Sequence, residues 1–373
     1  MKLFRLNYAP ALEVREQLNA FATPNVSNLL VFEKSNSILI TDSLLNLQRM
    51  EEVLEEIDKP VLEPGEVLLK VGACGICGSD LHTYRHGMFL QLGTPIDSGR
   101  VLGHEFSGEV VEINGEVPGV SIGDRVTTVG MGGNAEYIRI SANMAQSLIP
   151  IQDDISYVEA ATTEPLATSL HAANLGDAQN EETHVIIGAG IIGLGILQCV
   201  KARSTAKVIV VDLSNKRLEK ASDLGADETI NAAETNLIEA LSGDSLVSEN
   251  LLSNTSGGVD VVYDCAGMGK NFQGPSVLEQ ALSIVRQNGK VVVVAVFEQD
   301  VTIDYNVIVR KGIQVHGSWA WEMDEFIESA RLIASGEIDR TPLVSHRFSL
   351  EQASEAYETQ LMAEEAIKVV FTP

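Results

Sequence analysis

The order of apolar and polar positions predicts a small α+β module in residues 1–59. Short apolar runs that suit strands alternate there with stretches whose apolar spacing suits helices, which gives the order β-α-β-β-α. The predicted strands are Leu3–Leu6, Leu29–Phe32 and Ser37–Thr41, and the predicted helices run from Ala9 to Ala22 and from Leu44 to Ile57. We expect Asp42 or Ser43 to cap the second helix, which Pro60 cannot continue.

The pattern changes in residues 60–168 to short apolar runs separated by glycines, which is typical of a compact β-rich domain with functional loops. The strands predicted there are Glu66–Val71, Gly108–Ile113, Asp124–Val129 and Ala135–Ile140. At the other end of the chain, residues 317–373 are predicted to form two helical stretches and a final strand, Ile367–Phe371.

Strands and helices alternate regularly between residues 169 and 315. The strands predicted there are Thr183–Ile187, Lys207–Val211, Glu228–Ile230, Val259–Asp264, Lys290–Ala295 and Ile313–His316. Helices are expected to follow Gly190, Ser214 and Gly274. This alternation indicates a parallel, doubly wound sheet, so the predicted fold class is α/β.

The charge of the chain excludes two classes of partner. A net charge of −26 would repel nucleic acid and anionic membrane surfaces alike. The longest apolar runs, such as Lys290–Phe297, are too short to span a bilayer, and the first residues lack the apolar core of a signal peptide. Four cysteines in 373 residues do not make a disulfide framework. We therefore expect a reducing, cytoplasmic setting.

A glycine pattern follows the first strand of the alternating region. Gly188, Gly190 and Gly193 form G-x-G-x-x-G between that strand and a helix. Gly188 permits a tight turn, Gly190 lets a pyrophosphate approach the backbone, and Gly193 lets helix and strand pack closely. Ile191 and Ile192 lie at the helix N-terminus, whose free N–H groups and positive dipole end attract phosphates. The pattern predicts a dinucleotide site, with a ligand-free glycine turn as the simpler alternative.

The second strand of the region ends at Asp212, at the spacing expected for a carboxylate that binds the adenosine ribose. Such a carboxylate accepts hydrogen bonds from the ribose hydroxyls and repels a 2′-phosphate, so NAD is favoured over NADP. Two positions remain open for Arg217, which lies either beside the adenosine or on an exposed helix face.

Three residues of different chemistry suggest a metal site. A thiolate from the pair Cys74 and Cys77, the imidazole of His104 and a carboxylate from Glu105 or Glu164 would make a tetrahedral zinc set with one place open for substrate. Each has a simpler interpretation: Cys74 and Cys77 as a redox pair or half of a structural zinc site, His104 as a core histidine, and Glu164 as a helix N-terminal carboxylate. Together, and beside a dinucleotide pattern, they favour zinc.

Residues 61–373 resemble the zinc-type medium-chain dehydrogenases, nearest the sorbitol, threonine and butanediol dehydrogenases. The motifs that carry the resemblance are G-I-C-G-S-D-L-H at 75–82, G-H-E-F-S-G at 103–108, G-D-R-V at 123–126, E-P-L-A at 164–167 and the glycine pattern at 188–193. The resemblance implies a Rossmann cofactor domain over 169–315 and a β-rich, GroES-like catalytic domain made of 60–168 and 316–373.

The same resemblance implies the ligand set. Cys77, His104 and Glu164 would bind zinc, Glu105 would be either a direct ligand or a supporting residue, and Asp80 would orient His104. Hydride would pass from a secondary alcohol or polyol to NAD, with zinc lowering the pKa of the alcohol.

Two further residues would carry the proton. Ser79 would take the proton of the substrate hydroxyl, and His82 would pass it outward by way of the cofactor ribose. Candidates for the substrate pocket, with surface or packing roles as the alternative, are Tyr84, Arg85, His86, Trp319 and Trp321. Neither the particular alcohol nor the preferred direction of the reaction follows from the sequence. A zinc-free reductase acting on enones or quinones is the alternative enzyme.

Three departures from the family stand out. The lobe with four close cysteines is missing between Asp124 and Tyr137, so one catalytic zinc and no structural zinc are expected, and the homo-oligomeric state stays open. Phe297 stands where relatives usually have glycine, and either narrows the nicotinamide pocket or has no effect on it.

The third departure is the N-terminus. Residues 1–59 replace the first strand pair of the family and resemble a small N-terminal module of secretins. The module is either an interaction module or the relic of a gene fusion. A secretion-associated interaction protein with an inert dehydrogenase part is therefore the alternative from another functional class.

Overall fold

The N-terminal residues fold in the predicted β-α-β-β-α order. Strands β1 (Lys2–Arg5), β2 (Asn28–Phe32) and β3 (Ser37–Thr41) form an antiparallel sheet in the order β1-β3-β2, and the helices are α1 (Ala11–Leu18) and α2 (Leu44–Ile57). Apolar side chains of both helices, Leu18 and Met50 among them, share one core with Ile38 and Ile40 of the sheet. Ser43 caps α2 by accepting a hydrogen bond from the Asn46 N–H.

The computed structural model describes residues 1–6, 9–58, 61–87, 101–241, 258–267 and 274–373. The predicted stop at Pro60 lies outside these residues. Two units divide the chain: one holds residues 1–70, 110–123 and 137–145, and the other holds 71–109, 124–136 and 146–373. The predicted domain boundaries stay a prediction.

Short strands and helices follow the module, in the order β4 (Val67–Gly75), α3 (Gly78–His86), β5 (Glu105–Ile113), β6 (Arg125–Val129), β7 (Tyr137–Ile140), β8 (Ile149–Pro150), α4 (Tyr157–Ala160) and α5 (Thr163–Gly176). In the smaller unit, residues 67–70 of β4 pair antiparallel with β7. In the larger unit, β6 pairs antiparallel with both β5 and β8. The β-rich character predicted for this region is confirmed.

The alternating region contains six parallel strands. Its elements are β9 (Thr183–Ile187), α6 (Ile191–Arg203), β10 (Lys207–Asp212), α7 (Asn215–Asp223), β11 (Glu228–Asn231), α8 (Leu237–Leu241), β12 (Val259–Asp264), α9 (Val277–Ile284), β13 (Val285–Val293), α10 (Tyr305–Lys311) and β14 (Gln314–Gly317). The strand order is β11-β10-β9-β12-β13-β14. Val185 packs into one core and its neighbour Ile186 into another, so both sheet faces are covered, and the doubly wound prediction is confirmed.

The C-terminal part contains α11 (Met323–Ala334), β15 (Val344–Phe348), α12 (Ala353–Leu361) and β16 (Lys368–Phe371). β16 pairs with β15 in parallel and with β4 in antiparallel direction. The prediction missed β15, because a five-residue strand whose side chains are half-buried or exposed has no continuous apolar run. It also placed β13 too late, because the strand begins directly after α9 at the polar stretch Arg286–Asn288. None of the helices in the described ranges combines the length and apolarity that crossing a membrane requires.

Candidate metal and cofactor site

One group of side chains in the described part of the chain could hold a metal ion. The ligand atoms of Cys77, His104 and Glu105 all lie within 4.8 Å of one another. Cys77 is the N-cap of α3, and its backbone N–H donates to Asp80 Oδ2 at 3.0 Å, so a capping box fixes the start of this helix. Glu105 begins β5, and His104 directly precedes this strand. Two of the predicted ligands thus meet Glu105 at this point.

Glu105 is held by a lysine that the sequence did not identify. Lys368 Nζ lies 2.5 Å from Glu105 Oε2, and both side chains are only 1% exposed. The same ammonium donates to the Ile76 carbonyl at 2.8 Å. Its sequence signal was a single lysine within the apolar run of β16. Glu105 Oε1 is buried and has no hydrogen-bond partner among the described residues, and a metal ion would satisfy this oxygen.

The electrostatics of His104 also suit a cation. Burial by itself lowers the pKa of His104, but Cys77, Glu164 and Asp80 raise it well above its ordinary value. Asp80 Oδ1 lies 3.8 Å from His104 Nδ1, close to the position expected for an orienting carboxylate. A cluster that draws positive charge this strongly has the donor set and the charge that Zn²⁺ requires.

Glu164 stands close to this group but outside it. It lies in the first turn of α5, is 9% exposed, and its Oε1 accepts a hydrogen bond from Trp321 Nε1 at 3.0 Å. Burial raises the pKa of Glu164, and His104 opposes that rise. The role of Glu164 as a direct ligand stays a prediction.

A cavity of about 680 Å³ opens beside the group. Cys77, His104, Glu164, Ser79 and His82 all line it. Of the substrate-pocket candidates, Arg85 and Trp319 line the cavity, whereas Tyr84 bonds to Glu358, Trp321 to Glu164, and the His86 side chain lies outside the described residues. Val296 and Glu298 line the cavity and Phe297 is not among its lining residues, so an effect of Phe297 on the nicotinamide pocket stays a prediction.

His82 contacts a buried carboxylate that the sequence did not identify. Its Nδ1 lies 3.0 Å from Oε1 of Glu298, whose side chain is 3% exposed. Glu298 follows β13 at the carboxyl end of the parallel sheet, where ligands of such folds bind. An acid directly after the apolar run Val291–Phe297 was the signal that could have found it.

The glycine loop has the shape that a dinucleotide requires. Gly188 has φ +107°, and a Cβ there would approach the Ala266 backbone nitrogen at 2.9 Å. A Cβ at Gly193 would overlap the Gly188 carbonyl oxygen. At Gly190 a Cβ would meet only Arg217 Nη1, at 3.9 Å, which leaves space for a pyrophosphate. Ile191 then begins α6, as predicted.

Asp212 ends strand β10 beside this loop. Its Oδ2 accepts from the Ala189 N–H at 2.6 Å and its Oδ1 from the Ser214 N–H at 2.9 Å. Arg217 is half-buried rather than exposed, and its Nη2 donates to the Ala366 carbonyl at 2.7 Å. Arg217 Nε is buried without a hydrogen-bond partner among the described residues. Arg217 therefore lies next to the glycine loop, and its place beside the adenosine stays a prediction.

Three family descriptions match successive parts of the chain. Residues 63–153 match the alcohol dehydrogenase GroES-like domain, and residues 192–335 match the zinc-binding dehydrogenases. Residues 1–63 match the short domain of bacterial type II/III secretion systems.

Curated relatives extend over most of the chain. The (R,R)-butanediol dehydrogenase of Bacillus subtilis is 30% identical over 352 residues, which cover 86% of this chain and 96% of that protein. The sorbitol dehydrogenase of the same organism is 31% identical over 86% of this chain and 94% of its own.

Solved structures agree with these relatives. A zinc-binding dehydrogenase of Sinorhizobium meliloti bound to NADP is 28% identical, with a TM-score of 0.72 over 84% of this chain and 94% of its own. The 2R,3R-butanediol dehydrogenase of Bacillus subtilis is 27% identical, with a TM-score of 0.70 over 93% of this chain and 99% of its own.

Fold, site and relatives together define an oxidoreductase that uses zinc and a nicotinamide cofactor. The chain belongs to the zinc-type medium-chain alcohol and polyol dehydrogenase family. The resemblances stated from the sequence, to this family and to the secretin module, are both confirmed. The zinc-free reductase and the inert dehydrogenase are not favoured.

Proposed function

We propose that this protein oxidises a secondary alcohol or polyol with NAD, using one zinc ion held by Cys77, His104 and an acidic third ligand. One observation carries the proposal: Cys77 and His104 of the metal group and Ile192, at the start of the cofactor-binding helix, line the same cavity. When bound, zinc lowers the pKa of a substrate hydroxyl and NAD accepts a hydride.

Glu105 has the stronger claim to be the third ligand. Its carboxylate belongs to the group within 4.8 Å, and Lys368 occupies Oε2 while Oε1 has no partner among the described residues. Glu164, held by Trp321, is the alternative. We propose a single zinc per chain, because the chain has four cysteines in all and Cys74 and Cys199 are fully buried.

The proton leaves through Ser79 and His82 in this proposal. Both residues line the cavity, and Glu298 accepts a hydrogen bond from His82 Nδ1 when its carboxylate is ionised. That contact favours the tautomer whose Nε2 has no hydrogen, which is the form able to accept a proton. Arg85 and Trp319 are the proposed substrate contacts.

NAD rather than NADP is proposed because of Asp212. Its carboxylate ends β10 beside the glycine loop, where it would bond the ribose hydroxyls and repel a 2′-phosphate. The argument rests on this residue, since a related structure contains NADP. We propose a cytoplasmic location, because Cys77 must remain a reduced thiolate to bind zinc.

The test is a screen for NAD reduction over butanediol, sorbitol, threonine and simple secondary alcohols, with zinc measured on the same sample. We expect turnover of at least one of these and about one zinc per chain. Cys77→Ser should lose zinc and activity together, whereas Cys74→Ala is the matched control and should keep both. Full zinc and full activity in Cys77→Ser would overturn the ligand assignment.

A second function, association through the N-terminal module, is favoured by one observation. The register places Leu3, Leu39 and Leu30 side by side across the module's sheet, and Leu3 and Leu30 are 58% and 49% exposed. Leu30→Glu should therefore weaken any self-association of the full chain in sedimentation experiments and leave dehydrogenase activity unchanged. A sedimentation profile of Leu30→Glu identical to that of the unsubstituted protein would contradict association through this sheet.

A further inference from the structure

Ser214 and Arg217, which follow Asp212 in the chain, both form hydrogen bonds with a segment near the C-terminal end of the sequence. Ser214 Oγ donates to Glu364 Oε2 at 2.9 Å, and Arg217 Nη2 donates to the Ala366 carbonyl at 2.7 Å. Ser214 itself is buried, with 1% exposure, and caps helix α7. The turn that contains Glu364 and Ala366 therefore lies against the adenosine side of the proposed cofactor site.

Ser214 and Arg217 have the chemistry that would suit the 2′-phosphate of NADP. A hydroxyl and a guanidinium directly after the strand that ends at the ribose-binding acid are natural phosphate donors. In this protein the Ser214 hydroxyl donates a hydrogen bond to Glu364, and one guanidinium nitrogen of Arg217 donates to the Ala366 carbonyl. The Ser214 hydroxyl and Arg217 Nη2 thus bond to the C-terminal turn, whereas Arg217 Nε has no hydrogen-bond partner among the described residues.

The local charge points in the same direction. Burial lowers the pKa of Arg217, while Asp212 and Glu364 both oppose that shift, so both carboxylates act on the one guanidinium. Both carboxylates therefore place negative charge beside this guanidinium. A 2′-phosphate carries nearly two further negative charges and would be repelled.

We propose that Glu364 is a second determinant of cofactor choice, which excludes NADP by its charge and by engaging the Ser214 hydroxyl. The inference rests on the proposed NAD-dependent function and adds to it. Asp212 selects for the ribose hydroxyls, and Glu364 engages the one hydroxyl, that of Ser214, which a 2′-phosphate would otherwise find. Replacing Asp212 alone would then leave a site that still binds NADP poorly.

The experiment measures binding by calorimetry, so it does not depend on turnover. The full chain is titrated with ADP-ribose and with ADP-ribose that carries a 2′-phosphate. Glu364→Gln should lower the Kd for the 2′-phosphorylated ligand, relative to the Kd for ADP-ribose, by about tenfold at low salt. This size is expected for charges several ångströms apart in a partly solvated site. Glu365→Gln is the matched control, because Glu365 is the adjacent exposed acid, and should leave the ratio unchanged.

Salt provides a second measurement. The preference of the unsubstituted protein for ADP-ribose should weaken between low and high ionic strength, and Glu364→Gln should show a smaller change. Equal ratios in Glu364→Gln and Glu365→Gln at every salt concentration would overturn the inference and leave the proposed use of NAD intact. A preference of the unsubstituted protein for the 2′-phosphate would overturn both. Unchanged melting temperatures of the two variants show that the comparison concerns folded protein.

Discussion

Glu298 Oε1 lies 3.0 Å from His82 Nδ1, and this contact connects the segment after strand β13 to helix α3. The two residues are 216 positions apart in the chain. A buried carboxylate that accepts from one ring nitrogen fixes both the orientation and the tautomer of a histidine. Glu298 is thus placed to orient the His82 ring for the proposed transfer of a proton.

Glu298→Gln should therefore lower kcat by about 10- to 100-fold, the range found when a supporting partner of a catalytic group is removed. The KM for the alcohol and the zinc content should change little, because Glu298 is outside the metal group. Steady-state kinetics with metal analysis checks both. The double variant with His82→Gln should lose little more than His82→Gln alone, since both changes act on one proton route. Fully additive losses would contradict the pairing.

Lys368→Met tests the buried ion pair with Glu105. Removing the ammonium leaves a buried carboxylate without its cation, so the free energy of unfolding of the metal-free protein should fall by about 3–5 kcal/mol. Urea denaturation measures this loss. The double variant with Glu105→Gln should recover part of the stability, because no uncompensated charge remains. If Lys368→Met is as stable as the unsubstituted protein, the pair does not contribute as the geometry implies.

Gly190→Ala and Gly193→Ala should separate cofactor binding from folding. At Gly190 the new methyl group meets only Arg217 Nη1 at 3.9 Å, so the melting temperature should hold while the Kd for NAD rises. At Gly193 the methyl group would overlap the Gly188 carbonyl, so the variant should melt at a lower temperature. Calorimetric melting and NAD titration distinguish the two effects. Unimpaired NAD binding by Gly190→Ala would place the pyrophosphate elsewhere.

Asp264 gives the stability a dependence on pH. Burial raises its pKa to about 6, and its Oδ2 has no hydrogen-bond partner among the described residues. The folded state therefore holds a proton that the unfolded chain releases near 3.8, the ordinary pKa of an aspartate side chain. The stabilisation is complete below that value and is lost as pH rises toward 6, with a total of about 3 kcal/mol.

Asp264→Asn should remove this slope, because an amide does not titrate in this range. Its oxygen can still accept from the Gly267 N–H, which lies 3.0 Å from Asp264 Oδ1. Urea denaturation at several pH values between 4 and 7 measures the difference. The same slope in both proteins would assign the pH dependence to other groups.

The local parts of the fold were predictable, because each depends on residues close in the chain. The turn from β9 into α6 follows from three glycines with distinct steric needs, and Cys77 and Asp80 form a capping box three residues apart. The pattern also gave the six parallel strands, since strands buried on both faces are continuous apolar runs.

The long-range partners were not predictable in the same way. Glu105 meets Lys368 over 263 residues, and Ser214 meets Glu364 over 150 residues. No periodicity connects such pairs, because they come together only through the packing of distant elements. Strand β15 was not predicted for a related reason, because it is defined by its pairing with β16 rather than by an apolar run of its own.

The separation of Glu105 and Lys368 along the chain also sets an interval between the synthesis of these two residues. Ribosomes add about 5–20 residues each second, so the 263 residues between them take roughly 13–53 seconds to appear. Throughout that interval Cys77, His104 and Glu105 exist without the ammonium that neutralises Glu105. The proposed metal site is therefore complete only when strand β16 docks beside β4, although Glu105 precedes Lys368 by 263 residues.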